Sequence, residues 1–322
     1  MPDRKVPVNL ICGPLGIGKT TTILRYLQRS GSAQFTAVLV NDFGPVGLDA
    51  AIIEGDLAHA LRANTSIKML PGGCVCCTSA ASFISSIHQL RTLPRLDRII
   101  IEPSGLALVG DMVDVVSSVA DKYNLEVLPV ITLVEPRLLD RAGFLLAPYY
   151  IRMVEAADVL VANRCDLASA AQIARFDEWS AALFPPKLRI YKTTQGELPQ
   201  EAFDLTFAGP RYSSAPAAIR EPHTRGQHAG GCVFEANKEF DPDAVDTLLR
   251  GFALKGIVGN EVLRLKAILH TSDGWKLYEI AGTESYCRPT DYRRDSRIDW
   301  ITQGVPLLDE AIKEMFSACA SD

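Results

Sequence analysis

Residues 13–20 read Gly-Pro-Leu-Gly-Ile-Gly-Lys-Thr, a complete G-x-x-x-x-G-K-T spacing. A glycine-rich loop of this kind turns successive backbone N–H groups towards one point, which suits a phosphate. Gly13 opens the loop. The candidate donors are the backbones of Gly16, Ile17, Gly18, Lys19, Thr20 and Thr21. The Lys19 ammonium suits β- and γ-phosphates, and the Thr20 hydroxyl suits Mg²⁺. The flanks agree with this chemistry. Val6 to Cys12 reads as a buried strand and Thr20 to Leu27 as a helix, so a helix N-terminus faces the same anion. A glycine turn that merely opens a helix is the competing reading, and it leaves the Lys-Thr pair unexplained.

Two further signals follow in order. The apolar run Arg98 to Ile101 ends at Glu102-Pro103-Ser104-Gly105. A carboxylate at a strand tip can hold a Mg²⁺-bound water, and a glycine just beyond it can offer its N–H to a γ-phosphate. Alone, that turn would be read as a simple strand ending. Asn163-Arg164-Cys165-Asp166 follows the apolar run Asp158 to Ala162 and is close to an N-K-x-D guanine signature. The Asp166 carboxylate can accept from the N1–H and 2-amino groups of guanine, donors that adenine lacks. Arg164 stands where a lysine is usual, and a guanidinium can also stack on a base. GTP is therefore expected over ATP.

Cys74, Cys76 and Cys77 place three thiols within four residues. Thiolates ligate Zn²⁺, Cu⁺ and other thiophilic metals. Three sulfurs leave a fourth position for a ligand that can be exchanged. A redox pair or inert buried thiols are the alternatives. His223 and His228 lie in a loop-like stretch and read as solvated residues with a conceivable transient metal role.

The totals narrow the classes. The chain has 322 residues, 48% apolar and 22% charged, with a net charge of −5. That composition is globular, and the acidic balance argues against nucleic acid as the main partner. No apolar run is long enough to span a bilayer, so no membrane partner is expected. The N-terminus shows no secretory pattern, so a cytosolic protein is expected, with cysteines that are reduced thiols or metal ligands rather than disulfides.

Continuous apolar strands at Ala37–Val40, Arg98–Ile101, Val127–Val134 and Asp158–Ala162 alternate with helical patterns. This predicts an α/β fold, a phosphate-loop NTPase domain with a mostly parallel sheet covered on both faces, over residues 1–208. Residues 209–230 are rich in Pro, Gly, Ser and His and read as a linker. Residues 231–322 read as a small α+β domain. Its strands are expected at 232–236, 262–270, 275–280 and 296–301. Its helices are expected at 244–252, capped by Asp241, and at 306–316.

Taken together, these motifs resemble the CobW-like GTPases. The resemblance rests on Gly13–Thr20, Asn41-Asp42-Phe43-Gly44, Gly73-Cys74-Val75-Cys76-Cys77, the Glu102–Gly105 turn and Asn163–Asp166, in that order. Residues 264–269 and 295–297 resemble the CobW C-terminal domain. The resemblance implies a GTP hydrolase that acts as a metal chaperone or insertase. Its cofactors would be GTP and Mg²⁺, its cargo Zn²⁺ or else cobalt, and its partner a client metalloprotein. It implies that Asp42 faces Mg²⁺ and the γ-phosphate as part of switch I, where the family commonly has glutamate. Pro45 replaces a common glutamate, Ala107-Leu108-Val109 replaces the usual Ala-Asp-Pro, and the histidine-rich tract of some members shrinks to His223 and His228. The client and any homo-oligomer are not legible. The rival class is a regulatory GTP switch with structural or redox cysteines and a client-binding C-terminal domain. An ATP-dependent kinase is disfavoured by Asn163 and Asp166.

Overall fold

The computed structural model describes residues 4–41, 48–56, 64–70, 80–105, 109–141, 148–207, 227–281, 284–292 and 294–320. The chain divides into two units, and the division is not linear: residues 42–56, 71–73 and 222–322 form the second unit and the rest the first.

In the first unit the strands are β1 (Val6–Cys12), β2 (Thr36–Asn41), β3 (Thr65–Leu70), β4 (Arg98–Glu102), β5 (Leu125–Val127), β6 (Ile131–Val134), β7 (Val159–Ala162) and β8 (Arg189–Lys192). They form one sheet in the order β3-β2-β4-β1-β6-β7-β8, with β5 also on β1. Every pairing is parallel. The helices are α1 (Lys19–Ser30), α3 (Ala80–Arg91), α4 (Val109–Ala120), α5 (Pro148–Glu155) and α6 (Ala170–Ala181), while α2 (Leu48–Asp56) belongs to the second unit. The apolar strands are continuous because both faces are covered. On one face Val8, Leu10, Ile99 and Ile101 pack with Phe83 and Ile87 of α3 and Met112 and Val116 of α4. From β1 the chain crosses to β2 on one side of the sheet, while β6 flanks β1 on the other. Ligands of such sheets bind at the carboxyl ends of the strands where the order reverses, so the loop after β1 lies in the favoured place.

The expected strand 127–134 is two strands, 125–127 and 131–134. Pro129 lies between them and brings no N–H to a ladder. A buried arginine anchors the opposite end of the sheet. Arg98 donates to the Asn9 side chain, to the Phe203 carbonyl at 3.0 Å and to Asp204, and its guanidinium lies over the Tyr26 ring. Its charge is thus paired rather than stranded.

The second unit is an antiparallel sheet, ordered β12-β11-β10-β13-β9. Its strands are β9 (Gln227–Phe234), β10 (Glu261–Thr271), β11 (Gly274–Ala281), β12 (Glu284–Pro289) and β13 (Ser296–Gln303), and its helices include α7 (Pro242–Lys255) and α8 (Asp309–Ser317). β9 starts at Gln227, within the stretch read as linker. Asp241 caps α7 as expected, its carboxylate accepting from Asp243 and Ala244 N–H at 2.9 Å. The last helix starts at Asp309 rather than at 306.

Alternation sorts the sheet faces. Leu265, Ala267, Leu269 and Trp300 enter a core with Leu249, Phe252 and Phe316. On the other face Asp299 accepts from the Leu48 N–H of α2 at 3.2 Å. The end of α2 is fixed as well. Asp56 accepts from Arg288 at 2.7 Å and Thr290 at 3.0 Å, and Glu54 pairs with Arg294 at 3.0 Å. Gly55 is needed there, because a Cβ would lie 2.8 Å from the Tyr292 nitrogen.

Cys232 lies in the core of the second unit, and burial pushes its thiol from 9.0 up to about 12. Above pH 9 the unfolded chain releases that proton while the folded chain keeps it, so stability falls as pH climbs from 9 towards 12. Cys232→Ala should flatten this decline. Urea unfolding at pH 8.5, 9.5 and 10.5 checks it, and equal pH slopes for variant and wild type would contradict it.

Candidate functional site

The loop after β1 has the conformation that its glycines permit. Gly13, Gly16 and Gly18 have φ of 148°, 70° and 99°. At Gly18 a Cβ would also sit 2.7 Å from the Asn163 amide nitrogen, so a side chain is excluded twice over. Lys19 opens α1, and its ammonium donates to the carbonyls of Gly13 and Pro14 at 3.2 Å each. The lysine therefore reaches back across the loop and closes it into a ring.

Two consecutive carbonyls of this loop are held from outside. The Asn163 side-chain amide donates to the Ile17 carbonyl at 2.8 Å, and the Arg164 guanidinium donates to the Gly16 carbonyl at 2.7 Å. In a planar trans peptide the C=O and the following N–H point in opposite directions. Fixing the two carbonyls towards residues 163–164 therefore aims the N–H groups of Ile17 and Gly18 the other way, into the loop. That is the donor pattern an anion requires.

Glu102 ends β4 and is buried, 3% exposed. The Thr20 hydroxyl lies 3.0 Å from Glu102 Oε1 and 3.2 Å from Oε2, to which it donates. A hydroxyl and a carboxylate, both oxygen donors, are a hard donor set that fits Mg²⁺. Gly105 presses on the phosphate loop: a Cβ there would lie 2.7 Å from the Leu15 nitrogen and 2.9 Å from its Cα. The turn 102–105 and the loop 13–20 thus pack without room for a methyl group.

Asp166 lies in a short 3₁₀ turn, Cys165–Leu167, and is exposed. Arg164 precedes it in the left-handed region, with φ of 58°. The loop after β8 completes this corner. Thr193 N–H donates to the Ala162 carbonyl at 2.8 Å, Cys165 N–H donates to the Thr193 carbonyl at 3.1 Å, and Gly196 N–H donates to the Asn163 side-chain oxygen at 3.1 Å. Gly196, with φ of 70°, also abuts Thr22 of α1, where a Cβ would lie 2.5 Å from the hydroxyl. Asn163 thus ties the loops at 17, 163 and 196 together with a single side chain.

Sequence reasoning missed the 193–197 loop. Its strand, Arg-Ile-Tyr-Lys, is half polar because β8 is an edge strand, so the apolar-run criterion passed over it. The turn residues Thr194-Gln195-Gly196 were the available signal. Glu135 and Arg137 also carried no signal on their own. Of the expected site residues, Gly13, Gly16, Ile17, Gly18, Lys19, Thr20, Thr21, Glu102, Gly105, Asn163 and Asp166 all lie in the first unit, at the carboxyl ends of β1, β4 and β7. Asp42, Cys74, Cys76, Cys77 and His223 lie outside the described residues. His228 is on β9, its ring nitrogen 3.1 Å from the Gly304 carbonyl.

A family model described as CobW/HypB/UreG, nucleotide-binding domain, matches residues 7–190. The chain is 31% identical over 171 residues to the zinc chaperone YeiR of Escherichia coli, covering 53% of this chain and 50% of that relative. It thus spans about half the length of that relative. It is 26% identical over 296 residues to the zinc chaperone CobW of a Sinorhizobium species, covering 81% of this chain and 80% of that one. Among solved structures it is similar to the Zn(II)-bound YjiA GTPase of E. coli, with a TM-score of 0.45 and 18% identity over 99% of this chain and all of that one.

The packing at Gly105 generates a test. In Gly105→Ala the new methyl meets backbone at Leu15, so the loop must move, and nucleoside triphosphate turnover should fall about 100-fold, the usual consequence of a misplaced site. Gly251→Ala is the control. Its Cβ meets nothing within 4 Å in α7, so it should add stability, by about 0.8–1 kcal/mol, and leave turnover alone. Turnover assays and thermal midpoints on both variants decide the matter. Normal turnover in Gly105→Ala would contradict the packing argument.

Proposed function

The chain belongs to the CobW/HypB/UreG nucleotide-binding-domain family. On that premise we propose that it hydrolyses GTP and couples the cycle to handing a divalent metal to a client metalloprotein. The observation that carries the nucleotide half is the joint suspension of the phosphate loop from Asn163 and Arg164, three and two residues before Asp166. The segment assigned to base reading is thus tied by hydrogen bonds to the loop assigned to phosphate binding.

In this reading the N–H groups of residues 16–21 and the Lys19 ammonium hold the phosphates. Thr20 and Glu102 would hold Mg²⁺, which when bound neutralises charge on the β- and γ-phosphates. On triphosphate binding the lysine exchanges its two carbonyl partners for phosphate oxygens. Gly105 offers its N–H where the γ-phosphate would lie. Asp166 accepts from the guanine N1–H and 2-amino groups. Asp42 is assigned to switch I, facing the γ-phosphate. No arginine finger is assigned, so turnover by the isolated protein should be slow.

The cargo is assigned to the thiolates of Cys74, Cys76 and Cys77, with zinc favoured and cobalt second. Relatives named zinc chaperones support zinc. Three thiolates with an exchangeable fourth ligand suit transfer rather than permanent storage. The cluster lies in the chain between Asp42 and Glu102, so the metal and the γ-phosphate are placed to bias the same segments. We assign the nucleotide domain to residues 1–208 apart from 42–56 and 71–73, which group with the second unit, and the C-terminal domain to the chain from β9 at Gln227 onwards. The protein is assigned to the cytosol. No helix among the described residues is long and apolar enough to cross a membrane.

The guanine assignment is tested by substitution. The wild type should hydrolyse GTP and bind it far more tightly than ATP. Asp166→Ala should weaken GTP binding by about 2–4 kcal/mol, the cost of losing a charged hydrogen-bond partner. Calorimetric titration with both nucleotides measures this. Equal affinity of the wild type for ATP and GTP would refute it.

A further inference from the structure

Arg164 does not hold the phosphate loop unaided. β6 ends at Val134, and the next residue, Glu135, has extended backbone, with φ of −97° and ψ of 127°, before the 3₁₀ turn Pro136–Asp140. That geometry leaves the carboxylate buried, 6% exposed, at the carboxyl end of the sheet beside the nucleotide loops. The guanidinium of Arg164 donates to Glu135 Oε2 at 3.3 Å through one arm and to the Gly16 carbonyl at 2.7 Å through the other. Arg137, two residues further on, donates through Nε to Glu135 Oε1. Each carboxylate oxygen therefore has its own guanidinium.

The charges explain why this is a built device and not a surface pair. The side chains of Glu135 and Arg164 are 8% and 19% exposed, so solvent screens them little. A buried carboxylate needs charged donors on both oxygens, and a buried guanidinium aimed at a neutral carbonyl needs a counter-charge. A planar guanidinium can satisfy a carboxylate and a carbonyl at once in fixed directions, which the compact ammonium of lysine does less well. The residue that departs from the N-K-x-D pattern is thus matched by an acid one strand away.

We propose that Glu135 is a positioning residue for nucleotide binding. It fixes the Arg164 guanidinium against the Gly16 carbonyl, and so holds the Ile17 N–H inward and the wall beside Asp166 in place. Arg137 neutralises the second oxygen and keeps the carboxylate from turning away. The inference rests on the GTP reading only for the identity of the base. The clamp itself bears on the phosphate loop. Glu135 touches no reacting atom, so its effect falls on affinity and KM, not on kcat.

The test is a double-mutant cycle on the full chain. Kd for GDP is measured by calorimetry, and kcat and KM for GTP by phosphate release, in wild type, Glu135→Gln, Arg164→Ala and the double variant. Glu135→Gln should raise Kd and KM about 10-fold, the size of coupling usual for contacting charged groups, and leave kcat within about twofold. In the Arg164→Ala background the same change should move Kd less than about twofold, because nothing is left to position. Glu135→Asp, which keeps the charge, should recover most of the affinity, and thermal midpoints show which variants are folded. The proposal is overturned if Glu135→Gln leaves Kd unchanged in a folded protein, or if it weakens binding equally with and without Arg164. Wild type that bound ADP as tightly as GDP would overturn the guanine assignment and not the clamp, and the cycle would then be decided with ADP by the same criteria.

Discussion

A loop that binds phosphate with its own backbone must keep several N–H groups unpaired and pointing inward before the ligand arrives. The corresponding carbonyls must then be held outward by something else, or the peptides turn over. Here the holding groups are Asn163 on Ile17 and Arg164 on Gly16. Much of the first unit serves that constraint. β7 delivers Asn163 and Arg164, β6 delivers Glu135 behind Arg164, and the loop after β8 delivers Gly196 to the other side of Asn163. The glycines at 13, 16 and 18 are the price of the conformation. Lys19 closes the ring from within.

The second unit obeys a different logic. Its antiparallel sheet buries one face under α7 and α8 and takes α2 on the other. The chain leaves β2 at Asn41 in the first unit and enters α2 at Leu48 in the second, and α2 is fixed there at both ends by Asp299, Asp56 and Glu54. A helix so anchored belongs to the C-terminal sheet physically, though it precedes that sheet by some 170 residues in sequence.

That placement of α2 was not legible. Hydrophobic periodicity reports that a helix buries a face, never which sheet receives it. The segments 13–20, 102–105 and 163–166 were legible as turns at the carboxyl ends of apolar strands, because their residue types and spacing follow those strands directly. Parallel strands 36–41, 98–102 and 159–162 were legible as unbroken apolar runs. β8 and β12 were not, because edge strands with exposed faces dilute the pattern: Ile190 is 39% exposed on β8, and β12 reads Glu-Ser-Tyr-Cys-Arg-Pro. Glu135 was invisible for another reason. A lone acid after a strand gains meaning only when the fold sets it against Arg164.

In the proposed function, nucleotide state and metal occupancy are linked within one protein. The direct measurement is an anaerobic Zn²⁺ titration of the full chain, loaded in turn with GDP and with a non-hydrolysable GTP analogue. About one tight Zn²⁺ per chain is expected, with affinities in the two states differing by about 1–3 kcal/mol and the same factor appearing in nucleotide affinity with and without zinc. The protein with Cys74, Cys76 and Cys77 all changed to Ser should lose tight zinc binding and keep its metal-free GTP affinity. Identical zinc affinity in both nucleotide states would contradict the linkage, and unchanged zinc affinity in the triple variant would contradict the thiolate site.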